Sequence, residues 1–263
     1  MVLLSFLVVT GCSRRDILDD YPVSGVEVRL DWSGVTEKLP EGVRIIFYPK
    51  DEKGRKIDTY LSVTGGEVKV PSGHYAVVIY NYDTETVLIR GEESYETIQA
   101  YTNFCKLGIA GTEKMVWGPD PLYVVNIDDL DIQNSEETLI LKLKPKLVIR
   151  TYSFSIKVQG LSNVSNVIGS IGGMADHYFL GKAYAMCDDY PINIDLNVKA
   201  GKIEGVFTTF GLPEAIITRL EIKLPVMMNL MIIKVDNSVQ EVKINITEAV
   251  QEPTGGFVSS PSP

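Results

Sequence analysis

Hydrophobic and polar residues alternate along several stretches of this chain, and a period of two is typical of half-buried β-strands. Val26 to Trp32 alternates strictly, so its apolar side chains fall on one face of the predicted strand and its charged side chains on the other. Leu139 to Lys144 repeats the pattern before Pro145 ends it. Tyr75 to Tyr82 is apolar on nearly both faces, which predicts a central strand that is covered from two sides.

Further apolar runs in the first half of the chain are bounded by turn residues and predict more strands. These runs are Val43 to Tyr48, Tyr60 to Val63, Glu67 to Val70, Val87 to Arg90, Met115 to Trp117 and Leu122 to Ile127. Gly65 and Gly66 separate two of these runs, which indicates a β-hairpin.

A second β-rich region begins near Lys146. Its predicted strands are Leu147 to Gly160, Tyr184 to Cys187, Ile192 to Lys199, Lys202 to Phe210, Ala215 to Leu224, Val226 to Val235 and Val239 to Ile246. Ser162 to Gly173 has a different pattern, because apolar residues recur there at i, i+3, i+4 and i+7. That pattern predicts one short helix in the second region, with Val164, Val167, Ile168 and Ile171 on its apolar face.

The order of these elements predicts an all-β fold of two tandem β-sandwich domains. Short strands separated by turns are typical of sandwiches, and the lack of helices between them argues against a parallel α/β sheet. We place the first domain at residues 25–145 and the second at residues 146–250. The tail, residues 251–263, is rich in Pro, Ser and Gly and is predicted to be disordered.

Residues 1–11 are interpreted as an export signal. Val2 to Val9 is apolar but far too short to cross a bilayer as a helix, and it suits the apolar region of a signal peptide. Val9-Thr10-Gly11-Cys12 resembles the lipobox of bacterial lipoproteins, in which the cysteine receives a diacylglycerol group and the chain is cut just before it. The resemblance implies lipidation of Cys12, after which residues 12–24 would form a flexible tether.

Composition narrows the range of partners. Hydrophobic residues make up 45% of the chain and charged residues 22%, which is a normal globular mixture that can form packed cores. The formal net charge is −9, and an acidic surface repels phosphate backbones, so nucleic acid is excluded as an expected partner.

Three segments of the body resemble the fimbrillin-superfamily lipoproteins of Bacteroidetes, and among them the fimbrial anchor and minor-subunit type. Val70 to Asn81 resembles a recurrent turn in which Pro and Gly precede a tyrosine-led strand. Leu143 to Ile149 resembles the crossing between the two domains of that family, and Ile168 to Ala175 resembles its Gly-Met-Ala segment.

The resemblance implies two transthyretin-like sandwiches and a non-catalytic role in a surface pilus. Fimbrial subunits of this kind join by β-strand addition, in which main-chain hydrogen bonds form the joint and side-chain pockets select the partner. The implied location is the outer membrane, held by the lipid on Cys12, with the cell surface favoured over the periplasmic face.

Motifs for catalysis, cofactors or metals are not recognised in the sequence, and we predict no such site. His74 and His177 lack metal-ligand spacing to another His or Cys. Asp128-Asp129-Leu130-Asp131 lacks the Gly and the distal Glu of an EF-hand, which favours a turn. The glutamates at 92, 93 and 96 are interpreted as a solvated loop rather than a glycosidase pair. Cys105 and Cys187 are either separate buried thiols or a disulfide, and the sequence leaves both open.

Two functions share this architecture. The first is a fimbrial anchor or accessory subunit, and the alternative is a glycan-binding surface lipoprotein of a nutrient-uptake system. Exposed rings could stack on sugars, although at strand spacing core packing is favoured for them. The tyrosines concerned are Tyr75, Tyr80, Tyr82, Tyr95 and Tyr101.

Overall fold

A computed structural model describes residues 23–36, 38–51, 54–105, 114–199, 201–213, 225–251 and 257–259 of the chain. The signal, Cys12, most of the tether and the predicted strand Ala215 to Leu224 lie outside these residues. Within them the fold is all-β, as predicted, with one α-helix, α1 (Thr247–Gln251), and a 3-10 turn at Leu161–Asn163. None of the helices in the described ranges is long and apolar enough to cross a membrane.

The strands that the described residues form are, in chain order, β1 (Val23–Leu30), β2 (Gly42–Pro49), β3 (Ile57–Ser62), β4 (Gly65–Pro71), β5 (Gly73–Asn81), β6 (Val87–Arg90), β7 (Gln99–Thr102), β8 (Phe104–Cys105), β9 (Met115–Val116), β10 (Tyr123–Ile132), β11 (Leu139–Leu143), β12 (Lys146–Leu147), β13 (Arg150–Lys157), β14 (Val164–Gly172), β15 (His177–Phe179), β16 (Tyr184–Met186), β17 (Ile192–Lys199), β18 (Lys202–Thr209), β19 (Met227–Lys234), β20 (Val239–Asn245) and β21 (Phe257–Ser259).

The first sheet has eight strands in the order β11-β1-β4-β3-β2-β5-β10-β12. Strand β5 is central and buried along almost its whole length, which confirms the prediction for Tyr75 to Tyr82. Its side chains belong to two apolar cores, one on each face of the sheet. Val77 and Ile79 pack with apolar residues of β1, β2 and β4, whereas Val78 and Tyr80 pack on the opposite face.

The predicted hairpin is confirmed, and it connects β3 to β4 with Ser62 opposite Gly65. Its turn lies at residues 63–64, so Gly65 and Gly66 begin β4 and do not separate the strands. Gly65 has a φ of 102°, and a Cβ atom there would lie 2.0 Å from the carbonyl oxygen of Val28. Both facts require glycine, because an L-residue would be strained and would collide with the backbone of β1.

The second sheet has nine strands. Seven of them run in the order β20-β19-β14-β17-β18-β13-β21, while β9 pairs with β17 and β8 pairs with β9. Phe154, Ile171, Ile192 and Met228 belong to the apolar core of this region. The core is built from the inward face of each strand, as the alternating burial of β18 and β19 shows.

A third sheet of four strands, β16-β15-β7-β6, joins the two halves of the chain. Strand β7 from residues 99–102 pairs with β15 from residues 177–179, and Tyr178 lies opposite Ala100. One apolar core accordingly contains Ile46 and Val78 of the first sheet together with Leu180 and Ala185. The predicted boundary at Pro145 stays a prediction, but the segments on its two sides share sheets and a core, which was not predicted.

The predicted helix at Ser162 to Gly173 is wrong, because Val164 to Gly172 forms strand β14. A β-bulge between Val164 and Asn166 inserts one extra residue, so the spacing of three from Val164 to Val167 is a strand irregularity and not a helical turn. Val167 and Ile171 are buried, whereas Ile168 is only half-buried. The glycines of this stretch also disfavour a helix.

The predicted disorder of residues 251–263 stays a prediction, and within this tail the structure describes residues 257–259 as a short strand. These residues form β21, which pairs in parallel with β13 through Phe154 and Phe257. The apolar pair Phe257-Val258 interrupts an otherwise polar tail, and this is the part that forms the strand.

Candidate functional site

Among the edge strands that the structure describes, β11 and β20 are long enough to pair with another chain along five residues or more. Among the described residues, β11 pairs only with β1, in parallel, and β20 pairs only with β19. The outer edge of each therefore presents backbone N–H and C=O groups that no described strand bonds. A free edge of this kind can accept a further strand.

The two edges differ in their side chains. In β11 the half-buried Leu139, Leu141 and Leu143 pack on the first core, while Ile140 and Lys142 face outward. In β20 the outward positions include Glu241 and Lys243, which pair with each other at 3.3 Å. Charges along an edge discourage unselected pairing, so β11 is the more apolar and more accepting of the two edges.

One ion pair joins a turn of the third sheet to the first sheet, and a second joins two turns of the third sheet to each other. Arg44 of β2 donates to Glu92 in the turn after β6 at 2.6 Å, and donates two hydrogen bonds to Asp58 of β3. Lys182 pairs with Glu96 at 2.8 Å. Glu92 and Glu96 thus have separate cationic partners.

The tyrosines singled out in the sequence mostly pack inside, as the sequence favoured. Tyr75, Tyr80 and Tyr95 are buried, and burial raises the pKa of each. Tyr82 is exposed and packs edge-on against Tyr60, a residue that the sequence analysis did not select.

The aspartates Asp128, Asp129 and Asp131, whose sequence raised the question of a calcium site, interact with different partners. Asp128 accepts a hydrogen bond from Tyr95 at 2.9 Å, and Asp129 pairs with Lys50 at 3.0 Å. Their segment is not a turn, since it lies within β10 at a bulge between Ile127 and Leu130. The exposed His74 lies 3.5 Å from Asp129 and 3.7 Å from Asp131.

His177 lies in a buried polar cluster. Its Nδ1 is 2.6 Å from Oδ1 of Asp176 and 3.9 Å from Oδ2 of Asp188. Local sequence patterns carry no signal for this cluster, because Asp188 is eleven residues further along the chain and only the β15–β16 hairpin brings it back.

Cys105 and Cys187 are free thiols, so the disulfide alternative is not formed. Burial raises the pKa of both, and in Cys187 it rises to about 11 because the nearby carboxylates of Asp176, Asp188 and Asp189 add to the effect. Both thiols are therefore protonated and weakly nucleophilic at neutral pH.

The described residues form an all-β fold, and comparison with known proteins assigns the family. The chain belongs to the family described as "Domain of unknown function (DUF5119)", whose model matches residues 11–195.

One named relative and two solved structures are similar to this chain over most of its length. A Bacteroides ovatus protein named "Putative fimbrium anchoring subunit Fim4B" is 52% identical over an alignment of 261 residues, and the alignment covers 95% of this chain and 78% of that protein. The crystal structure of a "putative adhesin" from Bacteroides ovatus is 48% identical, covers 97% of this chain and 99% of its own, and has a TM-score of 0.83. The fimbrial anchor protein Mfa2 of Porphyromonas gingivalis is 14% identical, covers 90% of each chain at a TM-score of 0.55, and shares the fold. The resemblance to fimbrial anchor proteins is thereby confirmed.

Proposed function

We propose that this protein is a fimbrial anchor or accessory subunit, a structural and non-catalytic component of a surface pilus. The observation that carries the proposal is the 52% identity, over nearly the whole chain, to a relative named as a fimbrium anchoring subunit. The free edge of β11 supports the same role, since a subunit needs a surface to which the next chain can pair.

The lipid on Cys12 would supply the attachment to the outer membrane. Each buried CH₂ of an acyl chain contributes about 0.8 kcal/mol, and more than one chain is needed for stable anchoring. Growth with a labelled fatty acid tests this step. We expect label in the wild-type protein and none after Cys12→Ser, and an unlabelled wild-type protein would contradict it.

The lipidated protein would face the cell exterior. Protease treatment of intact cells tests this orientation. The protein should be cleaved without cell lysis, while a periplasmic control protein stays intact. Full protection until lysis would place it on the periplasmic face instead.

Strand addition at β11 would join the protein to the next fimbrial subunit. A photo-crosslinking residue at Ile140, which faces outward on β11, should capture a fimbrial subunit in cells. The matched control is Lys69, which is also exposed but lies on β4, an interior strand of the same sheet. The same reagent at Glu241 tests the edge of β20.

Capture at Ile140 with none at Lys69 supports pairing along β11. Capture at Glu241 alone would move the joint to the second sheet. Capture at none of these positions, in cells that assemble fimbriae, would overturn strand addition at both edges.

Glycan binding is a second candidate, and one observation favours it. The exposed rings of Tyr60 and Tyr82 meet edge-on with centroids 5.2 Å apart, and the guanidinium of Arg44 lies 5.9 Å from the Tyr60 centroid. Exposed rings beside a fixed polar group can stack on a sugar and donate to its hydroxyls. Binding on a glycan array that is lost in Tyr60→Ala but kept in Tyr152→Phe would support it, and an array without binding would remove it.

A further inference from the structure

The polar cluster around His177 lies at the open end of the hairpin that β15 and β16 form in the third sheet. Asp176 directly precedes β15, and Asp188 follows β16 by two residues. The hairpin pairs His177 with Met186, and the N–H of Asp176 donates to the carbonyl of Met186 at 3.0 Å. The two aspartates therefore sit side by side at the end of the hairpin, with the His177 ring between them.

Three potential ligand atoms converge at this point. Nδ1 of His177, one carboxylate oxygen of Asp176 and one of Asp188 all lie within 4.8 Å of one another. A single cation bound at about 2.0–2.2 Å from nitrogen and oxygen ligands can span such a set with small adjustments. In the part of the chain that the structure describes, this is the one group of His, Cys, Asp and Glu side chains with that geometry.

The burial of the cluster is unusual for these residue types. The side chains of His177 and Asp176 are only 6% and 5% exposed, whereas that of Asp188 is 54% exposed. Burying a carboxylate is costly unless a cation or several donors compensate it. One ligand at the surface and two inside leave a route by which an ion from solvent could reach the buried pair.

The second oxygen of Asp176 is already held in place. Its Oδ2 accepts from the N–H of Asp188 at 2.9 Å and from the N–H of Tyr190 at 3.4 Å. These bonds leave Oδ1 directed at His177. Metal-binding carboxylates are commonly oriented in this way, with one oxygen on the ion and the other hydrogen-bonded.

We propose that Asp176, His177 and Asp188 form a binding site for a divalent transition-metal cation, with Zn²⁺ as the best match. An imidazole nitrogen with two carboxylates suits Zn²⁺ better than Ca²⁺ or Mg²⁺, which take oxygen ligands. Binding replaces the proton shared by Nδ1 of His177 and Oδ1 of Asp176, and that proton is released to solvent or moves to Nε2. Water completes the coordination.

The ion would stabilise the contact between the two halves of the chain. His177 lies opposite Tyr101 of β7, so the site is attached to a strand from the first half. The ring of Tyr190 packs on that of Phe104 of β8 at a centroid distance of 4.9 Å. Fixing Asp188 to the hairpin would therefore hold the segment around Tyr190 against β8 as well.

Arg90 is a cationic side chain that already lies near one of the proposed ligands, Asp188. Its guanidinium lies 3.8 Å from Oδ2 of Asp188, the same oxygen that faces His177. A cation at the site and Arg90 would compete for this carboxylate. Removing Arg90 should therefore strengthen metal binding, which is an effect that a purely structural hydrogen-bond cluster would not produce.

Calorimetric titration of the soluble Cys12→Ser protein with ZnCl₂, together with native mass spectrometry, tests the proposal. We expect one Zn²⁺ per chain and a higher Tm in its presence. Asp188→Asn should weaken binding by about tenfold or more, and the exposed side chain of Asp188 makes this variant safe for folding. Arg90→Gln should tighten binding.

Asp189→Asn is the matched control, because it removes a neighbouring exposed carboxylate and Asn tolerates the positive φ of 64° at that residue. It should bind Zn²⁺ like the parent. Absence of stoichiometric binding would overturn the proposal. Binding that is unchanged in Asp188→Asn would also overturn it, since it would assign the ion to a thiol or another group.

Discussion

Arg44 and Glu92 form an ion pair of 2.6 Å that connects the interior strand β2 to the turn after β6. Arg44 also donates to both carboxylate oxygens of Asp58 and to the hydroxyl of Tyr80. The guanidinium of Arg44 on β2 thus binds groups on two other strands, β3 and β5, and in one turn. Because Glu92 lies in the turn between β6 and β7 of the third sheet, this pair fixes the third sheet to the first.

Arg44→Ala should lower the free energy of unfolding by about 2–3 kcal/mol, because it leaves Asp58, Glu92 and the Tyr80 hydroxyl without their common partner. Arg29→Ala is the matched control, since Arg29 also makes a two-point contact with a carboxylate, that of Glu27. Its side chain is 52% exposed against 17% for Arg44, so solvent screens its ion pair and its loss should cost clearly less than that of Arg44. Urea denaturation of both variants measures the difference, and equal costs would contradict the assigned role.

Gly65→Ala should destabilise the first sheet by at least about 2 kcal/mol, because the new Cβ meets the Val28 carbonyl and the backbone has a left-handed φ. Gly160→Ala separates the two causes. Gly160 has a φ of 77° with no atom within 4 Å of the added Cβ, so only the conformational strain of about 1 kcal/mol applies. Thermal unfolding of the two variants gives the comparison. A Gly65→Ala protein as stable as Gly160→Ala would show that β1 and β4 are not packed as described.

Stability should fall at alkaline pH through the buried tyrosines. Burial is the largest cause of the raised pKa of Tyr48, Tyr80 and Tyr95 in the folded protein. The unfolded chain loses these protons near its ordinary tyrosine pKa of about 10, while the folded chain keeps them. The contribution to stability is therefore present below pH 10 and is lost as the pH rises toward the folded values.

Denaturation at a series of pH values from 8 to 11.5 measures this slope. Tyr48→Phe keeps the ring and removes one of the three hydroxyls, so the decline above pH 10 should be shallower in that variant. An unchanged slope would show that Tyr48 ionises alike in the folded and unfolded chains.

Alternation of apolar and polar residues was enough to predict most strands, because a strand buried on one face reveals its period in the sequence. Val87 to Arg90 and Ile192 to Lys199 were predicted with the bounds that the structure has. The same reasoning failed at β14, where the bulge after Val164 shifts the register and imitates a helical spacing.

Pairing between distant segments could not be predicted from local patterns. The sequence of strand β7 does not indicate that β15 is its partner, and the two strands lie on opposite sides of Pro145. The cluster of Asp176, His177 and Asp188 was missed for the same reason, since it exists only after the hairpin closes. The ion pairs of Glu92 and Glu96 were not predicted either, because their partners Arg44 and Lys182 lie far away in the sequence.

The location of fimbriae in cells that carry Cys12→Ser tests the central claim most directly. If the protein holds a pilus at the membrane through its lipid, fimbrial subunits should shift from the cell fraction to the culture medium while their total amount stays the same. The Cys187→Ser strain, which loses a thiol in the body of the protein, should keep its fimbriae on the cells. Fimbriae that remain cell-bound in the Cys12→Ser strain, with that protein exported at the normal level, would contradict the account.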